Sequence, residues 1–323
     1  MRNYSQFYID GRWVDPVEPR IAEVINPATE AVSGTISLRS AADVDLAVTA
    51  ARRAFESWSQ TPVAQRLDLL LAIQAEYTRR SSELGEAVTE EMGAPTGLEL
   101  GGKSAWVILD DADMAANVAA ATAGMMVNAG QTCSAGSRLL VPSARLDEAI
   151  AAAKTGAESV TVGDPTGDVG MGPVVSKGQY NVVQDYIRIG LEAGAQLIAG
   201  GPSRPDGLEK GFYCRPTVFV SSNDTRIARE EIFGPVLVLI AYDDLDHAVA
   251  IANDSPFGLG GYVSGQDADI ARSVARRLRT GAVWINGGFD FHAPFGGYKR
   301  SGNGREWGAA GFEEYLETKA LVG

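Results

Sequence analysis

A chain of 323 residues, 45% of them hydrophobic, is long enough to bury two cores, which argues against a chain that stays unfolded for want of apolar surface. Its formal charge of −13 repels phosphate backbones and anionic lipid, which argues against nucleic acid and membrane surfaces as partners and leaves a small molecule. No apolar run reaches the roughly 20 residues of a membrane span, and the N-terminus lacks an apolar signal core, so a cytoplasmic location is expected.

In chain order, "QFYIDGRWV" and "AEVINPATE" read as two short strands punctuated by Pro and Gly. A helix follows over "SAADVDLAVTAARRAFESW", with Ser40 and Asp43 in capping-box positions and Val44, Val48, Ala51, Phe55 and Trp58 on one face. The stretch from Thr61 to Gly93 repeats that logic, with Pro62 at the first helical position and Leu67, Leu70, Leu71 and Ile73 pointing inward. From Leu98 the character changes. Strands at "SAWVILDD", "SRLLVP", "AQLIAGG", "TVFV", "PVLVLIAY", "GGYVSG" and "AVWIN" alternate with helical stretches such as "DADMAANVAAATAGMMV" and "DADIARSVARRLRTG". Such alternation predicts an α/β domain with a largely parallel sheet. The tail "AGFEEYLETKALVG" could close with a strand that docks elsewhere.

Two cysteines, Cys133 and Cys214, make no disulfide framework, and His247 and His292 lack ligand spacing, so no metal site is expected. Residues Gly97 to Ser104 fit the phosphate-loop pattern letter for letter, but what precedes them looks helical and "AWVIL" after them looks like a strand, the reverse of what a phosphate loop needs. Within that stretch Glu99, flanked by Leu98 and Leu100, is either a desolvated general base or a carboxylate paired with Lys103. In "NAGQTCSAGSR", small and polar residues surround Cys133 and leave room for a substrate and for backbone N–H groups facing an oxyanion. Cys214, in "GFYCRPTVFV", has the apolar neighbours of a packing thiol. No G-x-G-x-x-G follows a strand, so a Rossmann fingerprint is absent.

Taken in order, "LELGGKS", "GQTCSAGSR", "EEIFGPV", "WIN" and "PFGGYKRSGNGRE", with "FYIDGRWV" and "INPAT" ahead of them, resemble the aldehyde dehydrogenase superfamily over practically the whole chain. The resemblance implies an α/β fold with a parallel-sheet catalytic domain and a truncated dinucleotide-binding domain. It divides the chain into a cofactor-domain remnant at 1–97, a thiol domain at 98–286 and a return segment with an oligomerisation strand at 287–323. It implies oxidation of an aldehyde to a carboxylic acid with NAD or NADP: Cys133 forms a thiohemiacetal and then a thioester, and Glu99 activates the water that hydrolyses it. By the same resemblance Glu231 binds the nicotinamide ribose, Phe233 contacts the nicotinamide, and Asn286 and Phe295 line the aldehyde pocket. One departure is large. In relatives a segment of subdomain size separates the counterpart of "EEMGAP" from "LELGGKS", whereas here only Thr96 and Gly97 join them. That segment carries central strands of the cofactor sheet, an oxyanion-donating Asn, a ribose-holding Lys and a glycine-rich turn. Its loss is expected to bare apolar surface on the first strands and helices. Two alternatives accompany this reading: a cofactor-independent thiol esterase, and a non-catalytic deletion product that self-associates through its C-terminal strand.

Overall fold

The structure, a computed structural model, describes residues 2–92, 101–317 and 319–320. It divides into two compact units, Met1–Thr96 and Gly97–Gly323.

The first unit opens with β1 (Arg2–Tyr4), β2 (Phe7–Ile9), β3 (Arg12–Val14), β4 (Ile21–Asn26) and β5 (Ala31–Ser37), followed by α1 (Ala41–Trp58), α2 (Val63–Arg79) and α3 (Ser81–Met92). β2 and β3 form a hairpin through Asp10 and Gly11, both at positive φ, as a two-residue Asp-Gly turn requires. β5 is flanked by β1, parallel, and β4, antiparallel. The capping box of α1 forms as expected: Asp43 N–H donates to Ser40 Oγ, and Ser40 N–H donates to Asp43 Oδ2 at 2.7 Å. The Val17 N–H also donates to Asp43, and these backbone donors hold its carboxyl below the usual range.

The inward face expected of α2 is corrected. The helix has no buried residue, and Leu67, Leu70, Leu71 and Ile73 are 53–57% exposed. Val44, Val48, Phe55 and Trp58 of α1 are exposed as well. The amphipathic pattern is that of helices built to cover a sheet, yet the unit's own sheet has three short strands and leaves those faces open.

The second unit contains β6 (Ala105–Ile108), α4 (Met114–Met126), β7 (Arg138–Pro142), α5 (Leu146–Glu158), α6 (Lys177–Glu192), β8 (Gln196–Ala199), β9 (Thr217–Val220) and α7 (Arg226–Arg229). It continues with β10 (Val236–Tyr242), α8 (Leu245–Asn253), β11 (Phe257–Gly258), β12 (Gly260–Ser264), α9 (Ala268–Arg277) and β13 (Ala282–Ile285). It ends with β14 (Phe295–Gly296), β15 (Tyr298–Lys299), β16 (Arg305–Glu306) and α10 (Gly308–Glu313). Seven strands make one sheet in the order β13-β12-β6-β7-β10-β9-β8, parallel throughout except for the antiparallel edge strand β8. The central strands β7 and β10 are almost wholly buried, which is why "RLLVP" and "VLVLIAY" read as continuous rather than alternating apolar runs. α4 and α5 pack on each other and against this sheet, as do α8 and α9.

Residues 287–323, expected as a separate return segment, belong to this unit. β15 pairs with β11, and Ser301 Oγ accepts from Gly258 N–H at 3.1 Å and donates to Gly101 C=O at 2.9 Å, so the segment is stitched to the body by strand pairing and by one side-chain hydroxyl. The closing strand expected in the tail does not form among the described residues after Glu313. β6 begins at Ala105, directly after the Lys-Ser pair, where a phosphate loop needs the start of a helix.

Candidate active site

Cys133 sits on a tight turn between the C-terminus of α4 and β7. Three consecutive residues, Asn128, Ala129 and Gly130, take left-handed φ before it, a costly run that side chains hold in place. Asn128 Nδ2 donates to Gln131 C=O at 2.8 Å, Gln131 Nε2 donates back to Asn128 C=O at 3.1 Å, and Gln131 Oε1 accepts from Val175 N–H at 2.9 Å. At Gly130 only glycine serves, since a Cβ would overlap the Gly234 carbonyl. The Ala135 N–H then bonds to Thr132 C=O, closing a turn whose central residues are Cys133 and Ser134.

The thiol is 4% exposed and packs in a cluster with Leu259, Phe295, Ala282 and Trp284. Neither cysteine forms a disulfide. Beside the cluster, an open pocket of about 410 Å³ is lined by Leu259, Phe295, Ser301, Arg305, Glu306 and Tyr315 among others. Cys214 is different in kind. It is 1% exposed, contacted by Gln184 Nε2, and burial pushes its thiol up to about 12.

Gly102 joins this cluster to the "EEIFGPV" loop. Its N–H donates to Glu231 Oε1 at 2.9 Å, and a Cβ on it would overlap the Cys133 carbonyl oxygen, so only glycine lets the two backbones approach. The loop itself is held on several sides. Arg226 and Tyr186 bind the carboxylate of Glu230 at 2.6–2.9 Å, and those bonds, the arginine's first, hold it down to about 2. Gln179 Nε2 donates to the carbonyls of both Ile232 and Phe233 at 2.9 Å, and Phe233 takes a left-handed φ of 54°. With Glu230 tied back to α6 and α7, Glu231 is the carboxylate left for Gly102. Glu231 and Phe233 also line a small cavity of about 10 Å³ with Gly102, Lys103, Gly130 and Thr132.

Of the residues singled out in the sequence, Cys133 and Phe295 therefore meet in one cluster, and Glu231 and Phe233 meet on the adjoining loop. Asn286 is placed otherwise. Its amide accepts from Gly265 N–H at 3.0 Å and donates to Gly265 C=O at 2.9 Å, and it is not among the described residues lining either cavity. Glu99 lies outside the described residues. Among the described residues no group of His, Cys, Asp and Glu could hold a metal ion.

Sequence reasoning missed Lys103, which it considered only as a partner for Glu99. The residue is 3% exposed, and burial, with the Arg138 charge adding to it, pushes its ammonium down to about 7 against the pull of Glu231 and Glu230. The unfolded lysine keeps its proton up to its ordinary value of 10.5, whereas the folded one surrenders it near 7. Between about pH 7 and 10 the unfolded chain thus binds more protons, and stability rises with pH through that window. Lys103→Met is expected to exceed the parent in urea-unfolding midpoint at pH 7, with the gap closing toward pH 10. An equal gap at both pH values would exclude a buried, proton-shedding Lys103.

A buried cysteine on a glycine-rich turn thus stands beside a pocket and a carboxylate-bearing loop in an α/β unit built on a mainly parallel sheet. The family follows from comparison: the model of the aldehyde dehydrogenase family matches residues 13–97 and 94–321, and the chain belongs to that family. The chain is 38% identical to a 3-succinoylsemialdehyde-pyridine dehydrogenase of Pseudomonas sp. over 473 aligned positions, covering 100% of this chain and 99% of the relative. It is 33% identical to a putative aldehyde dehydrogenase of Staphylococcus saprophyticus, again over 100% and 99%. Among solved structures it resembles a cysteine-to-alanine variant of aldehyde dehydrogenase C from Pseudomonas syringae in complex with NAD+ and octanal (TM-score 0.95, 36% identity, covering 98% of this chain and 96% of that one). It also resembles the Mycobacterium tuberculosis aldehyde dehydrogenase in complex with NAD+ (TM-score 0.92, 28% identity, 99% of each chain). Roughly 150 of the 473 positions aligned with the Pseudomonas sp. relative face no residue of this 323-residue chain, and the two stretches of the family match meet at 94–97. That junction is where the sequence is expected to lack a segment.

Proposed function

We propose that this chain oxidises an aldehyde to the carboxylic acid in two stages around Cys133. The thiolate adds to the aldehyde carbonyl to give a thiohemiacetal, which becomes a thioester on loss of hydride; water then cleaves the thioester, releasing the acid and restoring the thiol. NAD(P)+, when bound, supplies the hydride acceptor. Glu99 takes the proton of the attacking water, Glu231 and Phe233 hold the nicotinamide ribose and ring, and Phe295 lines the path of the aldehyde. Asn286 enters through backbone, clamping the end of β13 to Gly265. The observation that carries this reading is the double role of Gly102, whose N–H meets Glu231 while its Cα lies against the Cys133 carbonyl, so that nucleophile and ribose-binding carboxylate share one residue. The test is formation of reduced nicotinamide from an aldehyde and NAD+ or NADP+ by the purified chain. No product at high protein and cofactor concentration would overturn it.

What supports a contact with the nicotinamide-ribose end of the cofactor is the carboxylate of Glu231, fixed by a backbone N–H and lining a small cavity with Phe233. The positions that the family resemblance assigns to the adenosine end have no counterpart here. Binding is therefore expected at a Kd on the order of millimolar, with nicotinamide mononucleotide binding within about threefold of NAD+. Calorimetric titration with both checks this, and NAD+ binding tenfold or more tighter than the mononucleotide would show adenosine contacts.

A further inference from the structure

The turn that carries Cys133 is held from below by a residue with no part in the reading above. Tyr262 occupies the middle of β12, directly opposite Trp106 on β6 and Trp284 on β13 in register. The three rings stack across the strands, with centroids 4.7 Å apart at an interplanar angle of 22° and 4.8 Å apart at 24°. The outer rings are fixed in turn: Trp106 Nε1 donates to Ser264 Oγ at 2.9 Å, and Trp284 packs into the cluster of Cys133, Leu259 and Phe295. A ring wedged between two others has almost no rotational freedom, so its hydroxyl is aimed by packing. That hydroxyl donates to the carbonyl of Ser134 at 2.9 Å.

Ser134 follows the nucleophile, and both are the central residues of the Thr132–Ala135 turn. The carbonyl of Cys133 is pressed against Gly102, and the carbonyl of Ser134 is bound by Tyr262, so the two peptides leaving the nucleophile are fixed from two directions. Burial, with the Cys133 charge adding to it against the Ser134 bond, pushes the phenol up to about 12, which keeps its proton on and the bond in place at neutral pH.

We propose that Tyr262 is a positioning residue for Cys133, holding through its bond to the Ser134 carbonyl the turn that aims the thiol at a carbonyl carbon. The proposal rests on the reading of Cys133 as the nucleophile. Without the hydroxyl the turn can rotate its peptides. The thiol would keep its place in the cluster, but it would meet a carbonyl from the wrong direction, together with whatever backbone donor stabilises the oxyanion.

Tyr262→Phe separates these effects, because it keeps the stacked ring and removes only the donor. Two reactions of the full chain are compared by mass spectrometry of the Cys133 peptide. With 4-nitrophenyl acetate the thiolate adds to the ester carbonyl, the C–O bond breaks and nitrophenolate leaves, a reaction that demands alignment. With iodoacetamide the thiolate displaces iodide at an unhindered carbon, a reaction that reports thiolate population and access. The variant is expected to lose about 10- to 100-fold in acetylation rate while its alkylation rate stays within about twofold. Equal losses in both reactions would mean that the tyrosine merely supports the fold, and no loss in either would mean that the bond is idle; each overturns the proposal. A parent chain alkylated at Cys133 but never acetylated there would sink the nucleophile reading and the positioning role with it.

Discussion

Aldehyde oxidation by Cys133→Ala is expected to fall by a factor of about 10⁴ or more, to background, because the whole sequence of thiohemiacetal and thioester runs through one sulfur. Alanine fits where the thiol packs against Leu259, Phe295 and Trp284, so the fold is expected to survive. Removing the sulfur atom from this cluster costs about 1 kcal/mol of burial, small against the activity lost. The measurement is reduced nicotinamide formed per minute, with thermal melting as the control on folding. Residual oxidation above one per cent in a folded variant would place the chemistry elsewhere. Cys214→Ala is the companion: a thiol pushed up to about 12 by burial carries no useful thiolate, so activity is expected to stay within about twofold of the parent.

Unfolding of the second unit is expected to become easier by about 3–5 kcal/mol in Arg138→Ala, the largest stability effect of any single change considered. The residue is 1% exposed at the start of β7. Its Nε donates to Lys103 C=O at 3.0 Å, Nη1 to Ile251 C=O and to Asn223 Oδ1, both at 2.9 Å, and Nη2 to Ala252 C=O at 2.9 Å. One side chain thus ties the strand leaving the nucleophile turn to the segment before β6 and to the end of α8. Burial pushes its guanidinium down to about 10, partly offset by Asp254, and it still holds its proton at neutral pH. Truncation strands the buried carbonyls of Lys103 and Ala252, takes one of two donors from the Ile251 carbonyl, which keeps the Asp254 N–H, and leaves a void, and these penalties add. Urea unfolding followed through the fluorescence of the stacked Trp106 and Trp284 reads this directly. A change below 1 kcal/mol would mean that water replaces the guanidinium without loss.

These two residues differ in how far the sequence announces them. Cys133 stands in a stretch of small, polar neighbours that no packing cysteine needs, and the order of motifs around it points to its chemistry without coordinates. Arg138 lies in "SRLLVP", where it reads as an ordinary polar residue at a strand start. Its four acceptors come from residues 35, 85, 113 and 114 positions away. The capping box on Ser40 and Asp43 and the alternation after Leu98 were likewise legible, because each is a local preference written in adjacent residues, whereas "QFYIDGRWV", expected as one strand, folds as the hairpin β2–β3 about Asp10 and Gly11. The same local logic misplaced Leu67, Leu70, Leu71 and Ile73. Periodicity shows that a helix has an apolar face, but whether a partner covers it depends on chain that here has no counterpart.

What the sequence by itself determined is the list of parts: an α/β domain, a thiol on a glycine-rich turn and an acidic loop. Only the tertiary structure decided which parts touch. The strand order β13-β12-β6-β7 sets Trp284, Tyr262 and Trp106 in one stacked row although successive members lie 22 and 156 residues apart, and it brings Tyr262 to Ser134 across 128 residues. It also folds Asn286 back onto Gly265 and buries Lys103 beside Arg138. Local patterns are fixed by rotation about neighbouring bonds, whereas these contacts arise from sheet topology, in which strands that are neighbours in space are distant along the chain.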